Sequence, residues 1–90
     1  MGIVAVKIRI LPSSPEANIA ELEEKIKETI ESNKGKNCQF EEEDVAFGLK
    51  AVIAFFAWPE EEELEQLEEQ IRTIENVSSL QVIDMRRAFG

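Results

Sequence analysis

Asp44-Val-Ala-Phe-Gly-Leu-Lys-Ala-Val-Ile-Ala-Phe-Phe-Ala-Trp58 is the stretch that decides the fold. From Leu49 to Trp58 it is apolar on both alternating sets of positions except at Lys50. That pattern is expected of a central strand of a sheet. Ahead of it, Phe47-Gly48 reads as a turn, because glycine supplies the backbone freedom that turns need. The acidic run Glu41 to Asp44 before the turn suits a sheet edge, where charge discourages unwanted pairing. Cys38 and Phe40 begin that second strand, which reads as short and poorly patterned. Pro59 ends the central strand, since proline cannot donate to a ladder.

Moving outward, Ile3 to Leu11 alternates and is rich in Val and Ile, so it reads as another strand, stopped by Pro12 and Pro15. Val4, Val6, Ile8 and Ile10 fall on one face, predicted to lie under the helices. Lys7 and Arg9 fall on the other. Asn18 is a helix N-cap, and Glu21 three residues later completes a capping-box pattern. Ile19, Leu22, Ile26 and Ile30 give the helix its apolar stripe. Asn33-Lys-Gly-Lys36 ends it, with Gly35 suited to a left-handed cap. Glu60 to Glu63 are read as the start of a second helix, where the dipole favours negative charge. Its stripe is Leu64, Leu67, Ile71 and Ile74. Val77-Ser-Ser79 reads as a turn, and Leu80 to Met85 as the last strand. The order strand–helix–strand–strand–helix–strand predicts an α+β, ferredoxin-like βαββαβ sandwich. Two helices should cover one face of a four-stranded antiparallel sheet whose first and third strands are central. One domain is expected over residues 1–90.

Composition narrows the function classes. The chain has 19 acidic and 10 basic side chains, a formal charge of -9. Such a balance disfavours nucleic acid, whose phosphates call for a basic stripe, and it disfavours an anionic membrane surface. It fits a basic protein partner. Cys38 is the single cysteine and there is no histidine, so an intrachain disulfide and a thiolate metal site are both excluded. No apolar run approaches the roughly 18 residues of a membrane span, and no secretory leader is recognisable, so a cytoplasmic location is expected.

The acidic runs lack the ligand spacing and glycine of a calcium loop and read as a solvated edge at Glu41 to Asp44 and a helix-start charge complement at Glu60 to Glu63. Cys38 reads as a small packing residue, with no histidine to activate it. No phosphate-binding glycine loop or nucleophile–base set is present, so covalent catalysis and a bound cofactor are not expected. Phe47 has two readings: a plug at the end of the core, or an aromatic anchor for a partner. The tail Asp84-Met-Arg-Arg-Ala-Phe-Gly90 sets Arg86 and Arg87 side by side on an acidic protein. They either terminate a sheet edge or act as a basic finger. Phe89 is a terminal core plug or a frayed end.

The tract VAFGLKAVI, the tail VIDMRRAFG and the element order resemble the nucleotide-exchange domain family of elongation factor 1-beta. The length resembles the archaeal form, in which this domain stands alone. The resemblance implies an exchange factor for a protein partner, the translational GTPase elongation factor 1-alpha. It would promote GDP release without covalent chemistry or a cofactor of its own. By the same resemblance Phe47 and Gly48, with Lys50 beside them, contact the GTPase. Arg87, flanked by Met85 and Arg86, takes the place of a lysine that reaches toward the magnesium site. The alternative reading is a ferredoxin-like domain that binds a small regulatory molecule or another protein.

Overall fold

The computed structural model describes residues 2–89. Its elements run β1 (Ile3–Pro12), α1 (Ile19–Ser32), β2 (Lys36–Ala46), β3 (Leu49–Pro59), α2 (Leu64–Arg72) and β4 (Val77–Phe89). The strands form one sheet in the order β2-β3-β1-β4, with every neighbouring pair antiparallel. This is the expected α+β ferredoxin-like sandwich, with β1 and β3 central. β2 and β4 are its edges.

The strand period of two sorts β1 as expected. Val4, Val6, Ile8 and Ile10 are buried in one core with Leu22, Ile26 and Ile30 of α1 and Leu67 and Ile71 of α2. β3 adds Val52, Ala54, Phe56 and Trp58 to the same core. Burying each such side chain contributes about 1.5–3 kcal/mol. Phe56 and Trp58 meet edge-on, with ring centroids 6.0 Å apart. The indole N–H of Trp58 donates to the Glu62 carbonyl at 3.1 Å, which fastens the β3–α2 connection to the core.

α1 begins where its cap predicts. The Asn18 Oδ1 accepts from the Glu21 N–H at 3.1 Å. The Glu21 carboxylate pairs with Lys25 one turn on, at 3.3 Å. At the other end of α1, Lys34 takes the left-handed conformation, with φ +80°. Gly35 was expected there, but it serves another need. A Cβ on Gly35 would collide with the Ile30 side chain and lie 3.0 Å from the Ile30 carbonyl oxygen. Close approach of the chain to α1 therefore requires the glycine. Asn33 and Gln70 exchange amide hydrogen bonds of 2.8 and 3.3 Å and tie the two helices together.

Several boundaries differ from the expectation. β2 is as long as β3, because an edge strand is held by its neighbour's ladder and needs no alternation of its own. Val77 to Ser79 is strand, with Val77 opposite Pro12 and Ser79 opposite Leu11. The reversal comes earlier, at Asn76, whose φ is +74°. β4 also continues beyond Met85, through Arg86 and Arg87. Finally, Glu60 to Glu62 precede α2 and Glu63 is its N-cap, so the acidic run lies in the connection and not inside the helix. Ile74 falls beyond the helix end but still packs on the core. The side chain of Phe89 and residue Gly90 lie outside the described residues.

Candidate functional site

The β2–β3 connection is two residues long, with Ala46 opposite Leu49. Both of its residues have positive φ, +53° at Phe47 and +79° at Gly48. That combination matches the right-handed twist of a hairpin and normally selects Asn or Gly. Gly48 is there for its backbone, since a Cβ would meet nothing within 4 Å. Phe47 is different: its side chain is 100% exposed. The core-plug reading of Phe47 is therefore wrong. A two-residue hairpin turn leaves the sheet's end, and its side chains have no core to enter. Val45 beside it is also exposed. The tip is thus an apolar point at the end of an acidic strand. Lys50 is exposed as well, with its ammonium 3.7 Å from Glu42 across the hairpin.

The tail lies elsewhere. Val4 is opposite Arg87, Ala5 opposite Arg86 and Val6 opposite Met85. The register sets Met85 and Arg87 on the side of the helices and Arg86 on the open side. All three are exposed. The arginines are part of a paired strand, not of a loose finger. Arg87 Nη2 donates to Glu60 Oε2 at 3.0 Å. Arg86 Nε lies 3.1 Å from Asp84 Oδ2. The Met85 N–H also donates to Asp84, at 3.0 Å.

The structure does not bring the two sets of residues together. β1 runs from the tail end, where Val4 faces Arg87, to the hairpin end, where Ile10 faces Val52. Leu49 lies three residues further along. The hairpin tip and Arg87 are thus separated by about nine residues of strand, roughly 30 Å. They also lie at opposite edges of the sheet, β2 and β4. The whole molecule is 42 Å in its longest dimension. Any partner that meets both must span nearly its full length.

Sequence reasoning missed Glu60, which it took only for a helix-start charge. The signal was available. Pro59 ends β3 opposite Ile3, so the next residue emerges beside the end of β4 in any sheet with β1 between them. The open face of the sheet carries Lys7, whose ammonium sits 4.9 Å from the centre of the Phe55 ring. Arg9 on that face reaches Glu43 at 2.9 Å. Because Arg9 pairs with Ile53 and Glu43 with Ala51, this bridge crosses β3 and covers both apolar residues.

Two ionisable groups bear on chemistry. Burial, reinforced by Glu31, pushes the Cys38 thiol up to about 11, against a small opposing effect of Lys27. A thiol so held stays protonated near neutral pH and is a poor nucleophile. Glu62, hydrogen-bonded to Lys34, raises that ammonium above its ordinary range. Among the described residues no group of three or more Cys, Asp or Glu side chains is arranged to hold a metal ion. Among the same residues no helix is long and apolar enough to cross a membrane.

Comparison with known proteins gives this geometry its context. The family model described as the EF-1 guanine nucleotide exchange domain matches residues 5–88. Elongation factor 1-beta of Methanococcus aeolicus is 41% identical over 86 residues, covering 94% of this chain and 97% of its own. That of Methanosarcina acetivorans is 41% identical over 88 residues, covering 97% and 99%. The Nanoarchaeum equitans protein of the same name is 39% identical over 82 residues, covering 90% of this chain and all of its own. The match runs from β1 through the arginines of β4 and takes in both the hairpin tip and the tail, so the chain belongs to the EF-1 guanine nucleotide exchange domain family, the exchange components of translation elongation.

Proposed function

We propose that the protein is the nucleotide-exchange factor for the elongation factor 1-alpha GTPase and speeds GDP release from it. The observation that carries this reading is the match of residues 5–88 to the exchange-domain family. The site residues support it. A phenylalanine held in a strained turn and fully exposed is what a docking anchor requires. Two exposed arginines at the far end suit a nucleotide site, where phosphates and metal-binding carboxylates are concentrated. On this reading Phe47, Gly48 and Lys50 dock one part of the GTPase, while Met85, Arg86 and Arg87 approach another.

The mechanism needs no bond to be made. In a GTPase partner, a bound Mg²⁺ would supply charge that holds the nucleotide phosphates in place. A guanidinium brought near that site repels the metal and competes for its carboxylate ligands. Exchange then requires only that the factor bind the nucleotide-free GTPase more tightly than the loaded one. A thousandfold coupling corresponds to about 4 kcal/mol of differential contact. Covalent catalysis and a resident cofactor have no place in this scheme. Residues 1–90 act as one unit, in the cytoplasm, where the GTPase works. The reading is tested by the release of a fluorescent GDP analogue from purified elongation factor 1-alpha. The factor should raise the rate, and an unchanged rate at saturating factor would refute the proposal.

A further inference from the structure

We infer that Glu60 is a counter-ion latch for Arg87: it holds the guanidinium neutralised in the free factor and must release it for exchange. The inference rests on the exchange reading and adds a residue to it. Arg87 Nη2 and Glu60 Oε2 are 3.0 Å apart, although the residues are 27 positions apart in sequence. The carboxylate is not there by chance flexibility. Pro59 is paired with Ile3, and the Glu60 N–H donates to the Gly2 carbonyl at 3.0 Å. The backbone of Glu60 is therefore pinned across the start of β1, two residues along from Val4, the residue that Arg87 pairs with. Its neighbour Glu62 has a different task, holding Lys34.

The electrostatics give the latch its sign. A guanidinium paired with a carboxylate carries no net charge as seen from a distance, so it neither repels Mg²⁺ nor attracts phosphate. Carrying Glu60 along would bring an extra negative charge toward a phosphate site. The pair must therefore open as Arg87 engages the GTPase. Both side chains are substantially exposed, 64% for Arg87 and 40% for Glu60, so the pair is weak enough to open. Exposed pairs of this kind are worth up to about a fivefold shift in an equilibrium. The other tail arginine is also paired, but to Asp84 two residues away, a local contact that moves with it.

The test is a double-mutant cycle on stimulated GDP release at low factor concentration and low salt, using wild type, Glu60→Gln, Arg87→Ala and the double variant. Glu60→Gln should stimulate release about two- to fivefold better than wild type. In the Arg87→Ala background the same substitution should change nothing. Glu60→Ala, which also keeps the backbone bond to Gly2, should reproduce the Gln result and serves if the Gln variant folds poorly. A rate for Glu60→Gln equal to or below wild type would overturn the latch. So would an equal gain with and without Arg87, which would indicate a general charge effect. Full activity of Arg87→Ala would likewise overturn it, while leaving the exchange reading intact. Failure of wild type itself to stimulate release would instead overturn the exchange reading on which the latch depends.

Discussion

Phe47 holds a conformation that suits Asn or Gly far better than an aromatic residue, with φ +53°. The left-handed region costs an ordinary residue about 1–2 kcal/mol. With its side chain fully exposed, Phe47 recovers none of this from the core. Phe47→Asn should therefore leave the melting temperature unchanged or raise it by a few degrees. The same substitution should weaken binding to elongation factor 1-alpha by roughly thirtyfold, the scale of an aromatic hot spot. Calorimetry of the free protein and titration with the GTPase check the two halves, and a marked loss of stability would contradict the account. The exposure of Phe47 was not legible from hydrophobicity, which sends a large aromatic inward. It follows instead from turn length, because a two-residue connection offers no route back to the core. Cys38 was read more successfully, as an inert packing residue. With its thiol pushed up to about 11, it should react with iodoacetamide at pH 8 far more slowly in the folded protein than in urea. Equal rates would show that the thiol is neither shielded nor deactivated.

The elements divide according to what holds them. β1 and α1 were readable because one face of each is buried and leaves a period in the sequence, and the middle of β3 because it is an unbroken apolar run buried at consecutive positions. β2 was read as short because its period is weak, yet it is kept in place by the β3 ladder. Val77-Ser-Ser79 looked like a turn because it is polar, but those residues pair with Leu11 and Pro12 at the sheet margin. The end of α1 shows a finer conflict. Two residues there have a claim to be glycine, Lys34 for its φ and Gly35 for space. The chain spends its glycine on space, because a steric clash with buried Ile30 is harder to relieve than left-handed strain. Gly35→Ala should accordingly destabilise the protein by about 1–3 kcal/mol, the cost of overpacking a core. Lys34→Gly should be neutral or slightly stabilising. Urea denaturation of the two variants tests this, and the reverse order would mean that φ and not space governs the cap.

At the scale of the whole molecule, the separation of the hairpin tip from the arginine tail is the consequence with most bearing on function. The element order implies it: a β2–β3 hairpin and the end of β4 emerge at opposite ends of an antiparallel sheet. The ion pair with Glu60 follows from the same topology, since the end of β3 opposite Ile3 sets the first of the four glutamates beside the end of β4, whereas charge pattern alone marks none of them as a partner for Arg87. With docking at one end and charge at the other, the two functions should separate in kinetics. Loss of Phe47 should raise the concentration of factor needed for half-maximal stimulation. Loss of Arg86 and Arg87 should lower the maximum. The most direct measurement is the rate of fluorescent GDP release from elongation factor 1-alpha at saturating factor, over a titration of free Mg²⁺. Wild type should accelerate release strongly at low Mg²⁺ and progressively less as the metal is raised. The Arg86/Arg87 double alanine variant should bind but give little acceleration, and Arg87→Lys should retain part of it, keeping the charge but losing the fork. A wild-type factor that binds without changing the release rate at any magnesium concentration would contradict the account.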